Sequence, residues 1–325
     1  MKIHRIITIF LTLLIALSLT SFISTVSANP ITIYVDDSNM TGPWDGTKSN
    51  PYQTIQDGVN AANDYDIVYV NAGTYTENID VNGFTNLKIL AENNGQSVVI
   101  IAPSTIDSVF EVKSDGVIIE GFEIKCYHIG ISCEGNYNQF KNNLIHNTSG
   151  GYGDMGIYVN GNYYLGNKII GNELRNLFNA IFIRHADSTI ISNNVVYQAS
   201  IAISLTNYDI STSCNNNKVR NNEIYLVEIG IILYADKGLL KNNIISFNNI
   251  HTPDEFVLAP GIEIYPYLGK IEKTKIMHNT ISGYLWGIAN GGDYGIIHHN
   301  DAINIYYQDY GDSGVGNKDF KNSWN

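Results

Sequence analysis

Four consecutive residues, Arg184-His185-Ala186-Asp187, place a guanidinium, an imidazole and a carboxylate within one short segment, the most suggestive local grouping of reactive side chains in the 325-residue chain. Further carboxylates stand on neighbouring segments at Glu134, Asp154, Asp209 and Glu263. Hydrolysis of a glycosidic bond requires two carboxyl groups on opposite sides of the bond. Glu134, Asp154, Asp187 and Glu263 are the candidates, and no spacing selects a pair. An exposed arginine paired with a nearby carboxylate is the plain alternative for Arg184.

What positions these residues is a repeat. A small residue followed by Ile opens an alternating strand at Gly130-Ile131, Gly156-Ile157, Ala180-Ile181, Ala202-Ile203, Gly230-Ile231, Gly261-Ile262 and Gly287-Ile288. The intervals are 26, 24, 22, 28, 31 and 26 residues. Between successive copies falls an Asn-containing corner: Asn142-Asn143, Gly171-Asn172, Asn193-Asn194, Asn221-Asn222, Asn242-Asn243 and His278-Asn279. A period in this range marks a solenoid. Three β-branched runs per copy, seen in residues 181–184, 189–192 and 195–197, predict a parallel β-helix. A leucine-rich repeat would want L-x-x-L-x-L and one strand per copy. Asn suits the corner because it tolerates the left-handed region and can bond an equivalent amide one coil away.

Alternation along the GI strand names its outward side chains. They are Ser132 and Glu134, Tyr158 and Asn160, Phe182 and Arg184, Ser204 and Thr206, Ile232 and Tyr234, and Glu263 and Tyr265. Tyr158, Phe182, Tyr234 and Tyr265, with Asn160, would form an aromatic strip of about 20 Å at about 4.8 Å per coil. Such a strip can stack on sugar rings, and the long corners at residues 146–155 and 251–260 bracket it. The competing reading is that aromatic ladders simply stabilise sheets. Both readings stand on sequence alone.

The first 28 residues read as a secretory leader: Lys2, His4 and Arg5, an apolar run over 6–19, and Val26-Ser27-Ala28 before Asn29. Its apolar run is shorter than a membrane-spanning helix needs. Removing it leaves 17 basic against 31 acidic residues, a net charge of −14. That balance disfavours nucleic acid and anionic lipid, and an acidic polysaccharide as well unless bound cations or a local basic patch intervene. Cys126, Cys133 and Cys214 are too few for a disulfide scaffold. Cys126 and Cys133 share inward positions of adjacent strands, which allows a bridge or two buried thiols. The histidines are scattered, and alternation would point His298 and His299 to opposite faces. Asp36, Asp37 and Asp45 offer a loop for Ca²⁺ or a merely solvated turn.

Residues 31–128 differ from the repeats: a strand at 31–35, a polar loop at 36–51, an amphipathic helix at 52–63 within PYQTIQDGVNAA, then a strand at 66–70 opening DIVYVNAGTYTENI. A helix placed there would cover the open strand edge of the first coil. This order, followed by coils with NN corners and GI starts, resembles right-handed parallel β-helix proteins of the pectin lyase-like superfamily over residues 31–305. It is most similar to the secreted carbohydrate-binding and sugar-hydrolase repeat branch, which also holds the periplasmic β-helix protein of nitrous oxide reductase maturation.

The resemblance implies an all-β right-handed parallel β-helix, and the residues divide the chain as leader 1–28, N-terminal strand, loop and capping helix 29–66, β-helix 67–307 and C-terminal tail 308–325. It also implies lyase chemistry in which a lysine or arginine abstracts a proton while Ca²⁺ held by several acidic residues neutralises a uronate. Arg184 would be the base with Asp187 and Glu263 beside it, and Asp154 and Asp209 would complete the Ca²⁺ ligands. An arginine serves as a base only when its very high pKa is greatly lowered, which acidic neighbours oppose. The Gly-His-Gly signature of polygalacturonases, the Gln-Asp-Thr-Leu segment of pectin methylesterases and the Asp-Pro-His of alginate epimerases are absent from the sequence. The expected protein is secreted and monomeric, with extracellular polysaccharide as its partner. A non-catalytic scaffold or metal-delivery accessory protein is the rival reading.

Overall fold

The computed structural model describes residues 29–103, 107–147, 154–252 and 257–324. The expected leader and the middle parts of both long corners fall outside them. Among the described residues, strands dominate, with one short helix at Ile55–Ala61.

Each coil crosses three main runs, and two coils add a short fourth strand, Leu239–Lys241 paired with Lys270–Glu272. The first run forms a twelve-stranded sheet from Thr32–Val35 to Lys318–Phe320. The second and third belong to one eighteen-stranded sheet. Mid-molecule these two runs fuse into single long strands, Glu173–Asp187, Val195–Asn207 and Glu223–Ala235, where the sequence predicted separate short ones. The fused strands bend at Asn176, Gln198 and Leu226, each with φ between 54° and 56°. Pairing is parallel and resumes in register beyond each bend, so Ile181, Ile203 and Ile231 lie one above another.

That register makes one core. Ile191, Val219 and Ile245 on the first run, Val196, Ile224 and Ile250 on the second, and Ile181, Ile203 and Ile231 on the third are fully buried. The small residue before each GI isoleucine is small because two backbones meet there: a Cβ on Gly130 would lie 2.6 Å from the Gly156 carbonyl oxygen and 2.7 Å from Ile145 Cγ2.

The Asn corners divide their work between two positions. The first residue takes the left-handed conformation and varies: Asn142, Asn193, Asn221, Phe247, His278, His299 and Lys321 have φ between 53° and 57°, and Gly171 has 69°. The second is always Asn: Asn143, Asn172, Asn194, Asn222, Asn248, Asn279, Asn300 and Asn322. In each of the first seven the backbone N–H and Nδ2 both donate to the Oδ1 of the next, at 2.7–3.1 Å, as in Asn194 to Asn222. Nδ2 also donates to a strand carbonyl of the preceding coil, as from Asn222 to Ile191.

The pair Asn242-Asn243 is not part of this ladder, contrary to its placement among the landmarks. Asn243 accepts from the Asn217 N–H in a second ladder at the other end of the first run, and Phe247-Asn248 holds the position instead. The second ladder is broken at Thr189 and Thr274, whose buried Oγ1 atoms have no hydrogen-bond partner.

The boundaries at 66/67 and 307/308 are corrected. Thr32–Val35 pairs directly with Ile67–Val70, so the first strand is already a rung. Residues 308–324 are not a tail: Gln308–Asp312, Lys318–Phe320 and Ser323–Trp324 pair in parallel with the preceding coil. Polar outward residues hide the pattern there, but Asn322 continues the ladder.

The helix is shorter than its amphipathic pattern suggested. It begins after Thr54, whose hydroxyl accepts from the Asp57 N–H at 3.1 Å, and Glu77 accepts from the N–H groups of Ile55 and Gln56. Ile55 and Val59 pack into the core. The first strand's free edge is met by the loop rather than the helix: the Tyr34 N–H donates to Gly46 O, and the N–H groups of Tyr52 and Asp36 complete the pairing. Helix residue Gln56 instead satisfies the N–H and carbonyl of Asp80. Asp36, Asp37 and Asp45 accept from Ser38, Thr74 and Thr47, which is turn and strand-end chemistry.

Cys126, Cys133 and Cys214 are free and buried, and burial pushes each thiol up to about 12. At about pH 8 they should resist an aromatic disulfide reagent in the native protein and all react once it is unfolded. Fast labelling of any one in the folded state would contradict this burial. Asn222→Ala should cost about 1–3 kcal/mol, because the buried Asn194 N–H loses its acceptor. Asn221→Gly should change stability by less than about 0.5 kcal/mol. Equal shifts in urea midpoint for the two variants would refute the division of labour at the corner.

Candidate functional site

On the outward side of the GI run, register sorts the side chains into two columns. Ser132, Tyr158, Phe182, Ser204, Ile232, Glu263, Ala289 and Gly311 form one. Asn160, Arg184, Thr206, Tyr234 and Tyr265 fall in the other. The expected aromatic strip is therefore two clusters. Tyr158 and Phe182 stack with centroids 5.2 Å apart and planes 12° apart, so their adjoining faces cover each other and Phe182 is only 9% exposed. Ser204 and Ile232 interrupt that column. In the other column Tyr234 and Tyr265 lie 5.7 Å apart at 35°, joined by Tyr208 and Tyr267, and these tilted rings are more accessible.

Tyr208 was missed because it lies beyond the strand, where alternation says nothing. Its backbone N–H donates to His185 Nε2 at 3.0 Å, and its ring lies between Arg184 and Tyr234, above the rung of the buried Thr206. Accepting that bond requires an unprotonated Nε2. Burial, with the charge of Arg184, lowers the His185 pKa and favours the neutral ring.

Arg184 sits on the groove floor. Its Nη1 donates to Tyr158 Oη at 3.4 Å, its Cζ lies 5.2 Å from the Tyr208 centroid, and its buried Nε has no hydrogen-bond partner. Among the described residues no carboxylate forms an ion pair with it. Both the plain surface pairing and the acid-ringed base are thus absent from this geometry.

The acidic residues assigned around it serve separate local roles. Asp187 accepts from Ser213 Oγ at 2.9 Å and the Asn215 N–H at 2.6 Å, pinning the following corner. Asp209 closes a turn on Ser211, whose bonds hold its carboxyl below the usual range. Asp154 is buried and accepts from Asn147 Nδ2. Among the described residues Asp154, Asp187, Asp209 and Glu263 do not cluster within reach of one ion, so they do not fit a shared Ca²⁺ site.

Glu263 is placed differently. Beyond it the column shrinks to Ala289 and Gly311, leaving an open recess of about 490 Å³ walled by Glu263, Tyr265, Trp286, Gln308 and Asp312. Burial raises the Glu263 pKa. A half-buried carboxyl beside Tyr265 and Trp286 can hydrogen-bond a hydroxyl-rich ligand resting on the rings. Trp286 was invisible to the outward assignment because it precedes the GI pair.

On the first run a second surface feature has no counterpart in the sequence reading. Lys88, Lys168, Lys218, Lys275 and Lys318 share one column, with Ile118, Ile190, Ile244 and Ile296 between them and Gln139 as an extra rung. Among the described residues none of these lysines forms an ion pair. A recess of about 720 Å³ lies along Ile190, Lys218, Ile244 and Lys275.

No protein-family model matches the chain, and no curated relative matches it by sequence. Solved structures do. Pectate lyase Pel9A is similar with a TM-score of 0.67 at 13% identity, over 92% of this chain and 80% of that one. The GH136 lacto-N-biosidase from Eubacterium ramulus matches with a TM-score of 0.60 at 13% identity, over 90% and 67%. A tailspike protein of E. coli bacteriophage HK620, solved with a pentasaccharide, matches with a TM-score of 0.55 at 11% identity, over 86% and 64%.

The fold is a pectin lyase-like right-handed parallel β-helix. At these identities the likeness establishes architecture alone.

The raised Glu263 pKa predicts a pH signature. A carboxyl whose folded pKa lies above its unfolded value supports stability that is present below the unfolded pKa and lost as pH rises through the folded one. Glu263→Gln should therefore gain on the wild type in urea midpoint between about pH 4 and pH 7. Parallel pH profiles for the two proteins would show that Glu263 is not held in this way.

Proposed function

We propose that the protein is a secreted carbohydrate-binding β-helix that holds an extended anionic polysaccharide along the outward side of its GI run. The observation that carries this reading is the unpaired guanidinium of Arg184, steadied by Tyr158 and Tyr208 on a groove floor that continues to Tyr234 and Tyr265. A partly desolvated arginine without a carboxylate has strong unmet capacity for a bidentate anion, and a uronate carboxylate fits its fork. The tilted tyrosines offer ring surface to the neighbouring sugars. Proteins of this architecture that carry saccharide-directed names or hold a saccharide support the substrate class. Cleavage is not part of the proposal, since Asp187 and Asp209 are committed to their own corners.

The lysine column favours a second reading, in which the polymer lies on the first run. Lysines on alternate rungs stand about 10 Å apart and would meet negative charges at that interval. Their isolation within an acidic protein creates the local basic patch that an acidic polymer needs.

The two faces are separable with uronate polymers and neutral glycans, assayed with and without Ca²⁺. On the GI reading Arg184→Ala should weaken uronate binding about tenfold or more, and Tyr234→Ala with Tyr265→Ala should weaken it further. The triple variant Lys168→Gln, Lys218→Gln, Lys275→Gln should leave it intact. The reverse pattern would move the polymer to the first run, and no uronate binding by the wild type would end both readings.

A further inference from the structure

Three imidazoles meet near the last coils, at the corner that follows the first run and two residues along from the lysine column. Ile297 is buried and His298 faces outward, but His299 leaves the strand in the left-handed conformation, φ 54°. Alternation therefore stops at His298, and the two rings do not point to opposite faces. His278 occupies the same corner position one coil earlier, φ 56°, and its ring stacks on His299 at 4.9 Å and 17°. His298 Nδ1 and His299 Nδ1 are 2.6 Å apart, so these rings already turn toward each other. One ligand nitrogen from each of His278, His298 and His299 lies within 4.8 Å of the others.

The rings are also braced. Phe247 stacks on His278 at 4.8 Å and 7°, and Phe320 stacks on His298 at 5.1 Å and 8°. These contacts hold two of the three imidazoles from the side away from the cluster. At metal–nitrogen bonds of about 2.0–2.1 Å the three nitrogens would stand about 3.3 Å apart, so sharing one ion requires the Nδ1 atoms of His298 and His299 to part and the wider separations to close. His278 and His299 are exposed, which leaves the rest of the coordination sphere open to solvent.

We infer that His278, His298 and His299 form a binding site for an imidazole-preferring divalent transition ion, Zn²⁺ or Cu²⁺, with at least one position open to an exogenous ligand. Three neutral nitrogens suit those ions, whereas Ca²⁺ and Mg²⁺ require oxygen. Lys275 and Lys321 are close enough to act on His298, so attraction comes from coordination and not from a negative field. The site does not depend on the polysaccharide reading along the GI run, being at the edge of the first run and using none of the residues of that groove.

The corner itself supplies a conservative variant. Phe already occupies the position of His278 one coil before it, at Phe247, and that of His298 one rung after it, at Phe320. His278→Phe, His298→Phe, His299→Phe should therefore keep the stacking while removing all three ligands. With the untagged full chain, titration calorimetry should find one equivalent of Zn²⁺ or Cu²⁺ and none of Ca²⁺. The triple variant should lose that affinity about tenfold or more at an unchanged fold by circular dichroism. Cu²⁺-loaded wild type should show nitrogen hyperfine structure that the variant lacks. If the variant fails to fold, Zn²⁺ should still protect these three histidines of the wild type from diethyl pyrocarbonate, read by peptide mass. Absence of stoichiometric binding in the wild type, equal binding by a folded variant, or labelling indifferent to Zn²⁺ would each overturn the site.

Discussion

In-register parallel pairing between coils is the constraint from which the surface of this protein follows. Once Ile181 sits beneath Ile203 and above Ile157, every residue at the same offset must stand in the same column. Side chains more than 20 residues apart become neighbours at the spacing of adjacent strands, about 4.8 Å. Tyr158 touches Phe182, and His278 touches His299, for this reason alone. Like charges directly stacked at that distance would repel, and alternating Lys with Ile relieves it while letting lysine stems cover aliphatic surface.

The same constraint limits what an aromatic column can do. Rings directly above one another at strand spacing stack face to face, as Tyr197 and Tyr225 do at 4.9 Å and 3°. Such rings stabilise the sheet and present mainly edges to a ligand. Ring surface becomes available where the column is offset or where a residue from a corner loop breaks the stacking. Tyr208 and Tyr234, with planes 54° apart, are in that state, and they adjoin Arg184.

The fold was legible because its determinants are periodic and local. Inward positions from Ile131 to Ile264 are buried as alternation required, and the GI spacing reflects a real backbone contact at Gly130 and its equivalents. Legibility failed where a position's role is independent of its residue type. Phe247 and His278 adopt the corner conformation usually read from Asn or Gly, so Asn248 went unnoticed and Asn243 took its place. The candidate site was legible only as a list of outward residues. Which carboxylates bind corners, which arginine stays unpaired and where Tyr208 folds depend on loops, and loops carry no period. The histidine cluster was hidden for the same reason, since alternation was extended one residue past the end of its strand.

The long asparagine ladder has a direction. From Asn143 to Asn300 seven amides donate forward along the axis to the next Asn, ending on Asn322, so their aligned dipoles add instead of cancelling. The donor end arrives at Asn322, whose Nδ2 meets the carboxylate of Asp319. From Asn143 onward the stack is thus electrically polar even in its uncharged interior, and an anion sits where the positive pole of the ladder emerges.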